Sequence, residues 1–319
     1  MLAADQRPPL LELVSRVLGR PEEAVGDEVG ILKGLLAEIL GGSVTGLLVD
    51  PLYGYARVLP VLPRTTGLLL TLEDHRFATT PDGYRRSRLI PEWDVDAAVR
   101  AGADALKLLV WFRPDAPGDV RTAQQALVSR AGEACARADR PFVLELLPYP
   151  LPAETPDAYA RRLPGLSLGL VEAFAEPSFR VDFYKLALPG SPDGVTEWGG
   201  ALYGLRDLGT AMTRITRLLP APWVLLSGGM TPHRFIESLE LAAGAGARGY
   251  LAGRAIWWRA VEAYPDLGVV RRRLRDEASS VLRSLNRVVE VLPAERPAGD
   301  WRVAMRFPQN ARSEGRSGE

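Results

Sequence analysis

Ala103-Asp104-Ala105-Leu106-Lys107-Leu108-Leu109-Val110-Trp111 is an apolar run with a lysine at its centre. A strand with one face in water alternates apolar and polar residues, whereas a strand covered on both faces stays apolar along its length. The run is short for a helix and reads as a strand buried on both sides. The same pattern recurs upstream at Leu2–Asp5, Val44–Asp50 and Gly67–Glu73, and downstream at Phe142–Leu147, Val181–Leu188, Trp223–Ser227 and Gly249–Gly253. Helical patterns lie between the runs, at Asp27–Leu40, Trp93–Ala101, Val120–Ala138, Pro156–Ala175, Leu202–Leu218 and Pro232–Ala243. Gly41-Gly42, Gly102, Pro141 and Gly244 punctuate their ends.

Eight buried strands separated by helices predict an α/β fold, a single (β/α)8 TIM barrel with a C-terminal helical extension. A doubly wound open sheet produces the same alternation, and the count of eight favours the barrel. The barrel and its C-terminal helix are expected over residues 1–291, with a partly disordered tail over 292–319. The extension contains Ala255–Tyr264 and then a long helix from about Val269 to Val291, whose Arg271-Arg272-Arg273 and Arg275 read as a solvated face. The stretch from Pro308 to Glu319 is polar and rich in small residues. Strand one starts almost at Met1, and barrels commonly carry an element before it, so the natural N-terminus is expected upstream.

Composition narrows the function. The 319 residues carry 39 basic and 39 acidic side chains, so no bulk charge draws the chain to nucleic acid or an anionic membrane. No apolar run reaches the length of a membrane span, and the N-terminus lacks a signal-peptide core. The lone cysteine, Cys135, fits a reducing, cytoplasmic setting. His75 and His233 are the only histidines, too few for a three-histidine metal site, and no metal or cofactor is expected. Only three of the 39 basic residues are lysines: Lys33, Lys107 and Lys185. Arginine stays protonated in proteins, whereas lysine can lose its proton and act as a nucleophile, so a surviving lysine in so arginine-rich a chain marks a position that needs an amine. Lys33 falls on the Asp27–Leu40 helix and reads as a surface residue.

Lys107, Glu145 and Lys185 each interrupt an apolar strand, about one βα unit apart. Unpaired buried charge is costly, so such groups pair, face a wet cavity or shift their pKa. On consecutive neighbouring strands three inward groups converge near the barrel axis. One reading is a Lys–Glu–Lys ion cluster that fills a barrel layer. The other is amine chemistry: a lysine beside a second cation in an apolar pocket is partly a free amine, attacks a ketone and forms an imine, while Glu145 moves protons.

Ser227-Gly228-Gly229 and Gly253-Arg254 end strands seven and eight, where barrels often bind phosphate. Glycines there let backbone N–H groups approach an anion, and Arg254 can clamp it. Asp5-Gln6-Arg7, Asp50 and Glu73-Asp74-His75-Arg76 lie at the C-terminal ends of strands one to three, each equally readable as a loop cap or ion pair. Gly165-Leu166-Ser167-Leu168-Gly169 fits a nucleophile elbow but follows no strand, and Gly244-Ala245-Gly246-Ala247-Arg248-Gly249 fits a dinucleotide fingerprint with helix and strand reversed. Both are discounted, and His233 reads as a helix-surface residue.

The chain resembles the class I tagatose 1,6-bisphosphate aldolases, a family that includes the sulfofructose 1-phosphate aldolases. Ala3-Ala4-Asp5-Gln6-Arg7, Leu48-Val49-Asp50-Pro51-Leu52-Tyr53-Gly54, Gly102-Ala103-Asp104-Ala105-Leu106-Lys107, Leu144-Glu145-Leu146, Asp182-Phe183-Tyr184-Lys185, Leu226-Ser227-Gly228-Gly229 and Gly253-Arg254-Ala255-Ile256-Trp257 carry the resemblance, in order. It implies a Schiff-base lysine at Lys185, an acid/base at Glu145 and a cationic neighbour at Lys107. It further implies a phosphate site at Ser227, Gly228, Gly229, Gly253 and Arg254, with Asp5 and Gln6 lining the pocket. Asp50 is a further candidate substrate-binding residue. Where the family often reads Lys-Val-Glu, this chain has Lys185-Leu186-Ala187. The expected reaction is reversible cleavage of tagatose 1,6-bisphosphate to dihydroxyacetone phosphate and glyceraldehyde 3-phosphate. Alternatives are the same chemistry on sulfofructose 1-phosphate, or a non-catalytic sugar-phosphate sensor. The expected partner is the small phosphorylated sugar, and a homo-oligomer is compatible with this reading.

Overall fold

The computed structural model describes residues 1–290. In chain order its elements are β1 Leu2–Ala4, α1 Pro8–Leu18, α2 Gly26–Leu40, β2 Gly46–Val49, α3 Tyr55–Val58, β3 Gly67–Thr71, β4 Ala78–Thr79, β5 Arg85–Arg86, α4 Val95–Arg100, β6 Ala105–Trp111, α5 Gly118–Arg137, β7 Phe142–Leu147, α6 Pro156–Glu172, β8 Phe183–Leu186, α7 Leu205–Leu218, β9 Trp223–Leu225, α8 Pro232–Gly244, α9 Arg254–Val261, α10 Leu267–Arg273 and α11 Ser279–Glu290. β1, β2, β3, β6, β7, β8 and β9 form, in that order, one curled seven-stranded parallel sheet, and β4 pairs with β5 in a separate hairpin. The right-handed twist of adjacent parallel strands curls such a sheet.

The segment predicted as strand eight, Gly249–Gly253, makes isolated bridges rather than a strand. Tyr250 bridges to Leu225 on one side and Ala252 to Leu2 on the other. Leu251 N–H donates to Leu225 O at 3.0 Å, and Ala3 N–H donates to Ala252 O at 2.8 Å. Gly249 sits at φ 145°, outside ordinary strand geometry, which shortens the pairing.

The pleat sorts the strands into two faces. Leu106, Leu108, Val110, Leu144, Leu146, Tyr184 and Leu186 join the large core beneath the helices. Ala3, Leu48, Leu69, Ala105, Val143, Phe183, Val224 and Leu251 form a second, smaller apolar cluster on the opposite face. Each comes from a different strand of the sheet or from the Gly249–Gly253 segment. Two residues further along, on the same face, come Asp5, Thr71, Lys107, Glu145 and Lys185. The polar residues therefore stand one layer above an apolar plug.

Several boundaries differ from the sequence reading. Pro8 and Pro9 open α1, where a missing N–H costs nothing, and Gly19 closes it at φ 62°. The predicted Val269–Val291 helix is divided by a π-helical turn, Leu274–Ala278, between α10 and α11. Lys33 is not a surface residue: it is fully buried on α2. The 292–319 tail lies outside the described residues. Among the described residues, no helix is long and apolar enough to cross a membrane.

Candidate active site

Parallel register sets Glu145 of β7 directly opposite Lys185 of β8, and Leu109 of β6 opposite Glu145. Glu145 Oε2 lies 3.0 Å from Lys185 Nζ and 2.8 Å from Lys107 Nζ, so one carboxylate oxygen is shared between two ammonium groups. Lys107 Nζ also meets Asp5 Oδ2 at 2.7 Å and Glu73 Oε1 at 2.8 Å. Arg7 closes the network, donating to Glu73 Oε1 at 3.2 Å and to the Glu73 carbonyl at 2.9 Å. Glu73 Oε2 accepts the Leu109 N–H at 3.0 Å. All six side chains are buried, and three cations balance three carboxylates.

The two lysines have different surroundings. Burial alone would pull Lys107 down, but Asp5, Glu145 and Glu73 outweigh it and hold the ammonium well above the ordinary lysine value. Burial would likewise raise Asp5, but Lys107, Lys185 and Arg7 hold it well below the usual carboxylate range. Lys107 is thus a fixed cation. Among the described residues, Lys185 contacts a single carboxylate oxygen.

Asp5 Oδ1, Gln6 Oε1 and Thr71 Oγ1 are buried without a hydrogen-bond partner among the described residues. Asp5 and Thr71 belong to the inner face that carries the lysines. A buried unpaired polar group costs about 1–3 kcal/mol, which a polyhydroxylated ligand can recover.

The two glycine-rich segments meet. Ser227-Gly228-Gly229-Met230 is a tight turn after β9, closed by Met230 N–H donating to the Ser227 carbonyl at 2.9 Å. Gly228 and Gly229 sit at φ 56° and 90°, a left-handed pair that glycine adopts freely. The Arg254 guanidinium, in the first turn of α9, lies 3.3 Å from where a Gly229 Cβ would stand. Gly253 packs so closely on Ala3 that a Cβ there would lie 2.3 Å from the Ala3 carbonyl oxygen, and 2.9 Å from Gln6 Nε2. Arg254 forms no ion pair with a carboxylate among the described residues; burial lowers its pKa, against the pull of Asp5 and Glu145.

Of the residues singled out from the sequence, Lys107, Glu145, Lys185 and Asp5 therefore come together directly. Ser227, Gly228, Gly229, Gly253 and Arg254 assemble beside them with Gln6. Asp50 stands on the same inner face at the level of Asp5, with its own partners. Its carboxylate pairs with buried Lys33 and accepts the backbone N–H groups of Leu52 and Tyr53. Burial pulls Lys33 below the ordinary lysine value, with Asp50 opposing. Arg7 and Glu73, the further members of the network, stand at strand ends, where the sequence alone does not separate a cap from a site residue. His233 is exposed near the start of α8, beside Glu237.

A family model described as DeoC/LacD family aldolase matches residues 35–259. A tagatose 1,6-diphosphate aldolase 1 of Streptococcus pyogenes serotype M3 is 33% identical over 298 residues, covering 91% of this chain and 90% of that protein. A tagatose 1,6-diphosphate aldolase of Streptococcus agalactiae serotype V is 29% identical over 297 residues, with the same coverage. Among solved structures, a Plasmodium falciparum fructose-bisphosphate aldolase in complex with TRAP and an inhibitor superposes with a TM-score of 0.64 at 13% identity, covering 92% of this chain and 91% of that one. An archaeal fructose-1,6-bisphosphate aldolase with its catalytic lysine bound to a carbinolamine gives a TM-score of 0.55 at 15% identity, covering 82% and 85%. These two establish likeness of fold. By the family model and the sequence relatives, the chain belongs to the DeoC/LacD family of aldolases.

Proposed function

We propose that this aldolase cleaves tagatose 1,6-bisphosphate reversibly to dihydroxyacetone phosphate and glyceraldehyde 3-phosphate, through an imine on Lys185. The observation that carries the reading is the unequal pair of lysines around Glu145: Lys107 held charged by three carboxylates, Lys185 touching only one carboxylate oxygen. A charged amine has no lone pair, so the nucleophile is the lysine that can give its proton to Glu145.

The neutral Lys185 amine adds to the C2 ketone, and Glu145 gives the proton it took from Lys185 to the carbinolamine hydroxyl, which leaves as water, so that a protonated imine and a Glu145 carboxylate remain. Glu145 takes the proton of the C4 hydroxyl. The C3–C4 bond breaks, its electron pair flows into the imine as an enamine, and the aldehyde leaves. Glu145 returns a proton to C3, and water hydrolyses the protonated imine to release dihydroxyacetone phosphate and the Lys185 ammonium, which passes its proton to Glu145 for the next turnover. The C1 phosphate sits against the Ser227–Gly229 turn, Gly253 and Arg254, and Asp5, Gln6 and Thr71 supply hydrogen-bonding atoms to substrate hydroxyls.

The fold reading extends in the same way. The Gly249–Gly253 segment acts as the eighth staff of a (β/α)8 barrel that carries the C-terminal helix, supported by its hydrogen bonds to β9 and β1 and by the contribution of Leu251 to the inner apolar cluster. The single buried Cys135 agrees with a cytoplasmic enzyme. Incubation with tagatose 1,6-bisphosphate, with both triose phosphates quantified, tests the function. Equimolar formation of the two supports it; no cleavage under conditions that preserve the fold contradicts it.

A further inference from the structure

A cavity of about 730 Å³ opens beyond the C-terminal ends of β7, β8 and β9. Leu147, Ala187 and Leu226 line it. Leu147 and Ala187 stand on the inner face two residues beyond Glu145 and Lys185, so the cavity begins one layer above the reacting groups. Gly228, of the turn assigned to the C1 phosphate, also lines it. Much of the remaining wall is proline, leucine and other apolar side chains.

One unpaired cation stands in that wall. Arg85, on the β4–β5 hairpin, lies with its guanidinium carbon 4.4 Å from the Trp111 ring, 4.5 Å from Phe77 and 4.7 Å from Tyr149. Trp111 and Tyr149 stack edge to face, and so do Trp111 and Phe77. The Arg85 backbone N–H donates to the Tyr149 hydroxyl at 2.8 Å, which pins the hairpin to the segment after β7. Aromatic rings attract a guanidinium through their faces and leave its N–H donors unspent. Among the described residues Arg85 makes no ion pair. Glu154, the carboxylate that also lines the cavity, is already held by Arg113 and Arg162. Trp111 and Tyr149 lie four residues beyond Lys107 and Glu145, about 13 Å of strand rise.

We infer that Arg85 is the anion-binding residue for the aldehyde half of the substrate, holding a terminal tetrahedral oxyanion, phosphate or sulfonate, in this cavity. The inference rests on the aldolase reading above. With C2 on Lys185 and the C1 phosphate at Arg254, the rest of the chain leads into the one cavity that Gly228, Ala187 and Arg85 share. A flat, preoriented cation with free donors suits two oxygens of such an anion. The aromatic cage makes the position selective for Arg over Lys.

The test is aldol addition of dihydroxyacetone phosphate to three acceptors: glyceraldehyde 3-phosphate, its counterpart with a sulfonate in place of the phosphate ester, and uncharged glyceraldehyde. Arg85→Met is expected to lower kcat/KM at least 20-fold, mainly through KM, for one or both anionic acceptors, and to leave glyceraldehyde within twofold. The anionic acceptor that suffers the larger loss identifies the natural anion. Arg85→Lys should restore only part of the loss. An equal loss for all three acceptors, or no loss for either anionic one, overturns the assignment. Borohydride trapping with dihydroxyacetone phosphate alone keeps the two readings apart and reports folding. An adduct on Lys185 in both wild type and Arg85→Met leaves the acceptor profile to decide on Arg85, whereas no adduct in the wild type means that the imine reading has failed.

Discussion

Glu145 and Lys185 face each other across neighbouring parallel strands, at one level of the sheet and 3.0 Å apart. The same carboxylate oxygen lies 2.8 Å from Lys107, so this carboxylate is held by side chains from the strands on both sides of it. Register fixes this geometry, and a slip of one residue would turn Glu145 and Lys185 into the apolar core under the helices.

Glu145→Gln tests the proton-transfer role. Glutamine keeps the shape and an acceptor oxygen but cannot carry a proton between C4 and C3. We expect kcat to fall by about 10²–10⁴, the usual contribution of a positioned acid/base, and borohydride trapping on Lys185 to slow as well, because the amine loses the group that takes its proton. Unchanged turnover would remove Glu145 from the mechanism.

Arg254→Ala tests the phosphate turn. Loss of a charge-assisted hydrogen bond should weaken binding of a C1-phosphorylated ketose by about 1.5–3 kcal/mol. The increase should appear in KM, with the melting temperature nearly unchanged. An unaltered KM for phosphorylated ketoses would move the phosphate elsewhere.

Lys33 and Asp50 form a buried pair beside the Lys107–Glu145 cluster, near enough for Asp5 and Arg7 to act on Lys33. Removing one partner strands a charge, so Lys33→Met should cost about 3–5 kcal/mol by denaturant unfolding. The double variant Lys33→Met with Asp50→Ala should lose less than the sum of the single variants. Strict additivity would mean that the pair is not coupled.

Much of this was readable before any coordinates. The Phe142–Leu147 strand has the boundaries the sequence predicts, and Lys107, Glu145 and Lys185 stood out because each breaks an apolar run. Lys33 was misread, although helical spacing puts it on one face with Val29, Leu36 and Leu40, all buried. Pro8-Pro9 looks like a break yet opens α1, because the first helical positions need no N–H. Arg7 and Glu73 join the cluster through tertiary contacts, which no local pattern records. The Arg85 cage is hidden for the same reason: Phe77, Trp111 and Tyr149 meet only after the hairpin folds over the end of the sheet.

Acid should find a weak point in the loops after β6 and β7. Buried Arg113 holds Asp115 at 2.8 Å, and its hydrogen bonds, with that of Arg162, bring the Asp115 carboxyl down to about 2. Glu154, on the same arginines, is also lowered, first by its hydrogen bond to Arg113. A depressed carboxyl stabilises the fold above its unfolded value near 4 and loses that contribution as pH falls toward its folded value. Melting temperature should therefore hold from pH 7 to about 5 and drop below about 4, and Asp115→Asn should flatten the part of that drop above pH 2. An unchanged acid limb in the variant would assign the loss to other carboxylates.

The most direct measurement is mass spectrometry of the enzyme reduced with borohydride in the presence of dihydroxyacetone phosphate, on wild type, Lys185→Arg and Lys107→Arg. The account predicts one adduct, on Lys185, in the wild type. It predicts none in Lys185→Arg, which should remain folded but inactive, and a reduced yield still on Lys185 in Lys107→Arg. An adduct on Lys107 would reverse the roles of the two lysines, and no adduct on any lysine would contradict imine catalysis altogether.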